Sequence, residues 1–190
     1  MHSATCRPDI EVVRFLISNG CDVNAVNDHG RTPLMNASER GYLQIVEELI
    51  ASGADATLSD CSGWTSLHFA ALGAWPQFET HSLVMQRLID EGVDVNAVDA
   101  LGWSPAHIST DSCGLKILAT AGADLSLCDV DGRTPIHYQG VDGVAELARH
   151  KNVDIHARDR FGRTAFHVCT SPDKVCSTAL RCFLEIDYMT

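Results

Sequence analysis

Five stretches of this 190-residue chain lie over one another without a gap: "NDHGRTPLMNA" from Asn27, "DCSGWTSLHFA" from Asp60, "DALGWSPAHIS" from Asp99, "DVDGRTPIHYQ" from Asp129 and "DRFGRTAFHVC" from Asp159. Self-similarity at such a period restricts a chain to stacked architectures, in which each unit buries its apolar face only against its neighbours. The glycines that mark the register, Gly30, Gly63, Gly102, Gly132 and Gly162, are 33, 39, 30 and 30 residues apart. Between them falls a second phrase that closes each unit: "NGCDVNA", "SGADATL", "EGVDVNA", "AGADLSL" and "KNVDIHA".

Each part of the unit has a physical role. Asp or Asn three residues before Gly signals a tight turn, because Gly accepts positive φ and an Asx side chain bonds back to nearby backbone. Thr32, Thr65, Ser104, Thr134 and Thr164 follow, placed to cap a helix, and Pro33, Pro105 and Pro135 suit its first turn. A second run such as "YLQIVEELIASG" puts Leu43, Val46, Leu49 and Ile50 on one helical face. Gly20, Gly53, Gly92 and Gly122 stand where a left-handed C-terminal cap is expected, and Asn152 takes that place in the fourth full unit.

A hairpin tip, two short antiparallel helices and a Gly-terminated return resemble the ankyrin repeat, and the resemblance covers essentially the whole chain. It implies an all-α solenoid of stacked helix-turn-helix ankyrin repeats with β-hairpin-like loops. One domain over 1–190 divides into a partial unit at about 1–26 and full units at 27–59, 60–98, 99–128, 129–158 and 159–190. Departures from the family pattern are Met35 in place of His, Glu48 in place of Leu, and Ser66 and Ala165 in place of Pro.

Placing Gly20 on Gly53 sets Leu16 on Leu49, Val13 on Val46 and His2 on Met35, so "MHSA" reads as the inner helix of a unit that lacks its hairpin. A frayed first helix, an uncovered apolar edge and a chain that is a piece of a longer array are expected, with a tolerated half-repeat as the alternative. His68 to Gly92 spans 24 residues against 18 from Met35 to Gly53, which places six extra residues between two helices, around "LGAWPQFETHS". His107 to Gly122 and His137 to Asn152 span only 15, so the units at 99–128 and 129–158 are expected to be thin, with a shorter turn and helix. After "RTAFHVC", Val175, Ala179, Leu180, Phe183 and Leu184 give one more apolar helical face.

Composition excludes several functions. Net charge is −11, carried by residues 1–130 with 17 acidic against 6 basic side chains, while 131–190 hold 8 of each. Nucleic acid is not an expected partner, since a phosphate backbone needs a basic stripe and the one local basic group is Arg158, Arg160 and Arg163 near Arg149 and Lys151. No apolar run nears the roughly 18 residues of a membrane span, and no signal peptide is legible, so cytoplasm or nucleus is expected; a monomer is expected as well. The eight cysteines form no Cys-x-x-Cys pair and read as reduced thiols rather than zinc ligands. His68, His107, His137 and His167 recur once per unit and are too far apart to converge on one reacting atom. The resemblance gives each of them a bond to backbone and to the Thr of its own unit. Catalysis, a cofactor and a metal are therefore not expected.

What remains is surface. The resemblance implies a concave strip of hairpin tips and first-helix faces that binds protein, either as a stand-alone adaptor or as the regulatory or substrate-recognition segment of a longer enzyme or ubiquitin-ligase adaptor. On this chain the places beside the glycines hold Asp28, His29 and Arg31; Ser62 and Trp64; Leu101 and Trp103; Val130, Asp131 and Arg133; and Arg160, Phe161 and Arg163. Trp64 and Trp103 are candidate anchors, because aromatic residues and Arg dominate hot spots, with packing on the adjacent hairpin as the alternative. Trp75 and Phe78 in the insertion are a second candidate, with collapse onto the protein's own body as the alternative. Asn24 and Asn96, in "DVNA", match the family's site for asparaginyl hydroxylation, and their ordinary role is to bond hairpin backbone.

Overall fold

The computed structural model describes residues 9–73, 78–109 and 111–170. Among these are nine α-helices and one 3₁₀ helix, and no strand beyond an isolated antiparallel bridge between Ser59 and Thr65. The helices come in pairs: α1 (Ile10–Ser18); α2 (Pro33–Glu39) with α3 (Leu43–Ala51); α4 (Ser66–Leu72) with α5 (Phe78–Asp90); α6 (Pro105–Ile108) with α7 (Ser112–Thr120); the 3₁₀ helix Pro135–Tyr138 with α8 (Val141–Leu147); and α9 (Ala165–Thr170). Every inner helix begins directly after its Thr or Ser, as the sequence predicts. The fold is an all-α solenoid.

One continuous core runs along the stack between the two helix rows. Leu34, Leu49, Leu67, Leu88, Leu115, Leu118 and Leu147 are fully buried in it, each worth roughly 2 kcal/mol of apolar transfer. A second, smaller core lies on the hairpin side and gathers Met35, Trp64, Phe69, Trp103 and Ile108, with Leu58, Leu72 and Tyr138 against it.

Three expectations are revised. The insertion is partly helix: α5 has 13 residues where α3 has 9, so four of the extra residues wind an additional first turn. That turn carries His81, which is buried and bonds through Nε2 to the Glu39 carbonyl at 3.0 Å, tying the insertion to the preceding unit. The shortfall in the thin units falls first on the inner helices, which have four residues each where α2 and α4 have seven; of the outer helices α7 keeps nine, while α8 has seven. Asn152 is not a left-handed cap, since no described residue other than Gly has positive φ. Where α3 ends with the Ala54 N–H bonded to the Leu49 carbonyl at 2.9 Å, α8 ends in a tighter turn from the Val153 N–H to the His150 carbonyl at 3.1 Å.

The expected first inner helix around "MHSA" and the C-terminal helix from Val175 to Leu184 lie outside the described residues. Of the apolar edge expected at Val12, Leu16 and Ile17, Val12 is 43% exposed while Leu16 and Ile17 pack against the core; Phe15, not expected there, is 66% exposed.

Candidate functional site

Five hairpins stand side by side along one edge of the stack, and the sequence builds all five alike. Oδ1 of Asn27, Asp60, Asp99, Asp129 and Asp159 accepts two backbone N–H groups, those two and four residues ahead, at 2.8 to 3.0 Å. Successive tips are then joined by single backbone bonds: Cys61 N–H to the His29 carbonyl, Ala100 to Ser62, Val130 to Leu101 and Arg160 to Asp131, at 2.9 to 3.1 Å. The approach is close. A Cβ placed on Gly102 would stand 3.0 Å from Asp129 Cα. The result is a ledge whose backbone is already pinned, which lowers the backbone ordering cost of any contact made there.

The histidines lock this ledge to the helices. Nδ1 of His68, His107 and His137 accepts the N–H of Thr65, Ser104 and Thr134 at 3.1 to 3.2 Å, the bond within the unit that the resemblance implies. Nε2 then reaches into the next unit, to the carbonyls of Trp103, Arg133 and Arg163 at 3.0 to 3.2 Å. In the first full unit Met35 Sδ stands in for Nδ1, taking the Thr32 N–H at 3.4 Å, and the link onward is missing. Burial pushes the His68 and His107 pKa values down, against the partner carbonyls and nearby Asp carboxylates, so both rings are neutral at pH 7.

The tip residues divide by their position relative to the glycine. Trp64 and Trp103, which directly follow it, are only 4% and 6% exposed, and this removes them as contact anchors. Trp64 packs on Phe69, with ring centroids 5.2 Å apart, and donates its indole N–H to Asp99 Oδ2 of the next hairpin at 2.9 Å; Trp103 packs on Tyr138 at 4.9 Å. Arg31 and Arg133 occupy the same position and face inward too. Arg31 lies over the Phe69 ring and 3.7 Å from Asp60 of the next hairpin, and Arg133 lies beside Tyr138 and 3.6 Å from Asp159. Arg163, the last in the series, pairs with its own Asp159 at 2.8 Å.

The one or two residues before each glycine face outward. Asp28, His29 and Arg160 are exposed, and Leu101, Val130 and Phe161 are 48%, 61% and 58% exposed. Arg160 bonds Asp131 at 3.0 Å, and the guanidinium carbons of Arg160 and Arg163 lie 4.7 and 4.8 Å from the centre of the Phe161 ring. Trp75 and the side chain of Phe78 lie outside the described residues. Asn24 and Asn96 sit in the return loops and bond the next unit's backbone rather than their own hairpin: Asn24 Oδ1 accepts from Asp55 and Asn96 Oδ1 from Asp124, at 2.8 and 2.7 Å.

Family models decide the ancestry: one described as ankyrin repeats in three copies matches residues 1–75, and one for a single ankyrin repeat matches 62–100. The chain belongs to the ankyrin-repeat family. The same hairpin, histidine and helix-pair geometry continues beyond residue 100 to α9. Among proteins similar to this ankyrin-repeat chain, palmitoyltransferase AKR1 of Lachancea kluyveri is 30% identical over 180 residues, 88% of this chain and 24% of that protein. The E3 ubiquitin-protein ligase XBAT33 of Arabidopsis thaliana is 38% identical over 73 residues, 38% of this chain and 14% of that protein. Human transient receptor potential cation channel subfamily A member 1 is 35% identical over 80 residues, 40% of this chain and 7% of that protein. The chain thus spans a quarter or less of the length of these relatives. No helix among the described residues is long and apolar enough to cross a membrane.

Proposed function

We propose that this chain binds a partner protein along the row of hairpin tips, with Leu101, Val130 and Phe161 as the contact residues and Asp28, His29, Asp131 and Arg160 as the polar surround. The observation that carries this is the exposure of three large apolar side chains on three consecutive tips held in register by backbone bonds. Isolated exposed apolar residues need no explanation, but a line of them on a rigid ledge, flanked by charge, has the make-up of an interface core with its rim. Trp64, Trp103, Arg31 and Arg133 support the ledge from beneath.

The test is affinity capture with three proteins: wild type, the Leu101→Asp/Val130→Asp/Phe161→Asp triple variant, and Leu83→Asp, whose 54%-exposed side chain lies on the outer helix α5. Partners retained by wild type and Leu83→Asp and lost by the triple variant support the reading. An unchanged set of partners in a folded triple variant removes it.

A second reading places the ledge within a longer enzyme, as its substrate-recognition or regulatory segment. It is favoured by relatives named as a palmitoyltransferase and an E3 ubiquitin-protein ligase, of which this chain matches 24% and 14%. Sequencing the whole reading frame tests it: an in-frame catalytic domain supports it, and stop codons directly flanking the 190 residues reject it.

A further inference from the structure

The return loops carry a second feature. Asn24 spans from one loop to the next with both ends of its carboxamide, donating from Nδ2 to the Gly53 carbonyl at 3.2 Å and accepting at Oδ1 from the Asp55 N–H at 2.8 Å. In the following unit this position holds Thr57, which is too short to cross. Its hydroxyl folds back to Asp55 Oδ1 of its own turn at 2.6 Å. The groups it would have reached, the Gly92 carbonyl and the Asp94 N–H, have no hydrogen-bond partner among the described residues. A cleft of about 430 Å³ opens at this junction, lined by Thr57, Ser59, Thr65, Gly92, Asp94 and Val98.

We propose that this cleft binds a primary carboxamide, the side chain of an asparagine or glutamine presented by a partner polypeptide. The two backbone groups are one acceptor and one donor, disposed as the pair that a single carboxamide already bridges one unit earlier. Two kinds of side chain carry a donor and an acceptor at that span, the carboxamide and the neutral imidazole, and of these the carboxamide is the one that bridges the equivalent pair one unit earlier, at Asn24. A carboxylate cannot donate to the Gly92 carbonyl, an ammonium or guanidinium cannot accept from the Asp94 N–H, and a hydroxyl is one atom wide. Thr57, Ser59 and Thr65 add hydroxyls to the walls, and Val98, 50% exposed, offers apolar cover for the methylene stem. The site does not depend on the tip row being an interface, because a free carboxamide fits it as well as a peptide-borne one.

The probe is propionamide, titrated into ¹⁵N-labelled protein with propionate as the isosteric control. Propionamide shifts the Asp94 amide resonance along a saturable curve, with a dissociation constant in the roughly 1–100 mM range expected of a five-atom ligand. Propionate leaves that resonance in place. Thr57→Asn supplies the carboxamide from within and weakens the propionamide response at least tenfold, by analogy with Asn24, whereas Thr57→Val keeps the cleft and the response. An Asp94 resonance that propionamide and propionate move equally, or not at all, overturns the proposal, as does a Thr57→Asn protein that responds like wild type. The comparison of the two probes on wild type decides the matter even if Thr57→Asn does not fold.

Discussion

His68 and His107 should make the stack lose stability as pH falls below neutral. Their rings are 0% and 2% exposed, and in each the Nδ1 accepts a backbone N–H, so the hydrogen is on Nε2 and the ring is neutral. A second proton would have to sit on Nδ1, facing the N–H of Thr65 or Ser104, in a site closed to solvent. Burial accordingly holds both pKa values below the ordinary imidazole value. The unfolded chain, with histidines near about 6.5, then binds protons more readily than the folded one. Their contribution is complete above that value and is lost as pH falls toward the folded pKa. The limiting slope is about 1.4 kcal/mol per pH unit for each ring, so roughly 2 kcal/mol is the ceiling on what the pair removes between pH of about 7 and about 5.5. Asp55 and Asp124, held below the usual carboxylate value by bonds from Thr57 and Ser126, act in a separate, more acidic window. Urea unfolding at both pH values checks this in wild type and in a His68→Gln/His107→Gln variant, which has other losses but cannot titrate at those positions. Wild type should lose more than the variant over that interval, by no more than about 2 kcal/mol. Equal losses in the two proteins refute the neutral-ring argument.

Two further outcomes follow from the links between units. Met35→His should restore the missing bond to the Trp64 carbonyl and raise stability by about 1 kcal/mol, read as a higher urea midpoint at neutral pH; a lower midpoint means that the Met35 pocket does not admit the ring. Gly122→Ala and Gly102→Ala both place a side chain at positive φ, 89° and 80°, but only Gly102 also has the next hairpin 3.0 Å away. Gly122→Ala should therefore cost about 1–2 kcal/mol and Gly102→Ala at least about 1 kcal/mol more; equal costs would show that the hairpins can separate freely.

The repeat, the helix starts and the tip turns were legible because each rests on local chemistry: an Asx oxygen bonding two and four residues ahead, a hydroxyl before Pro, a glycine at positive φ. What was not legible is what crosses between units. The reach of His68 Nε2 to Trp103 spans 35 residues, and no spacing rule announces it. The same is true of His81, whose role as the clamp of the inserted turn depends on Glu39, 42 residues earlier. Asn152 misled for the opposite reason. Its residue type permits a left-handed cap, but α8 is short enough to close in a tighter turn.

The tip tryptophans show most clearly why composition alone points to the wrong face. Trp and Arg after a glycine look like hot-spot residues, yet the position directly after the glycine has a cohesive task that both can perform. It needs an N–H donor at the end of a long flat side chain, able to reach Oδ2 of the next hairpin's Asp and to lie over a ring. Trp64 donates to Asp99 Oδ2 while packing against Phe69, and Arg31 over Phe69 and Arg133 beside Tyr138 place their charge 3.7 and 3.6 Å from Asp60 and Asp159 as ion pairs. At the junction where Trp103 packs on Tyr138, the Tyr138 hydroxyl itself bonds the Asp129 carboxylate. Before the glycine the tips are joined chiefly by backbone bonds, with the Arg160–Asp131 pair as the side-chain exception, so the other side chains there carry no such constraint. It is there that Leu101, Val130 and Phe161 stand exposed.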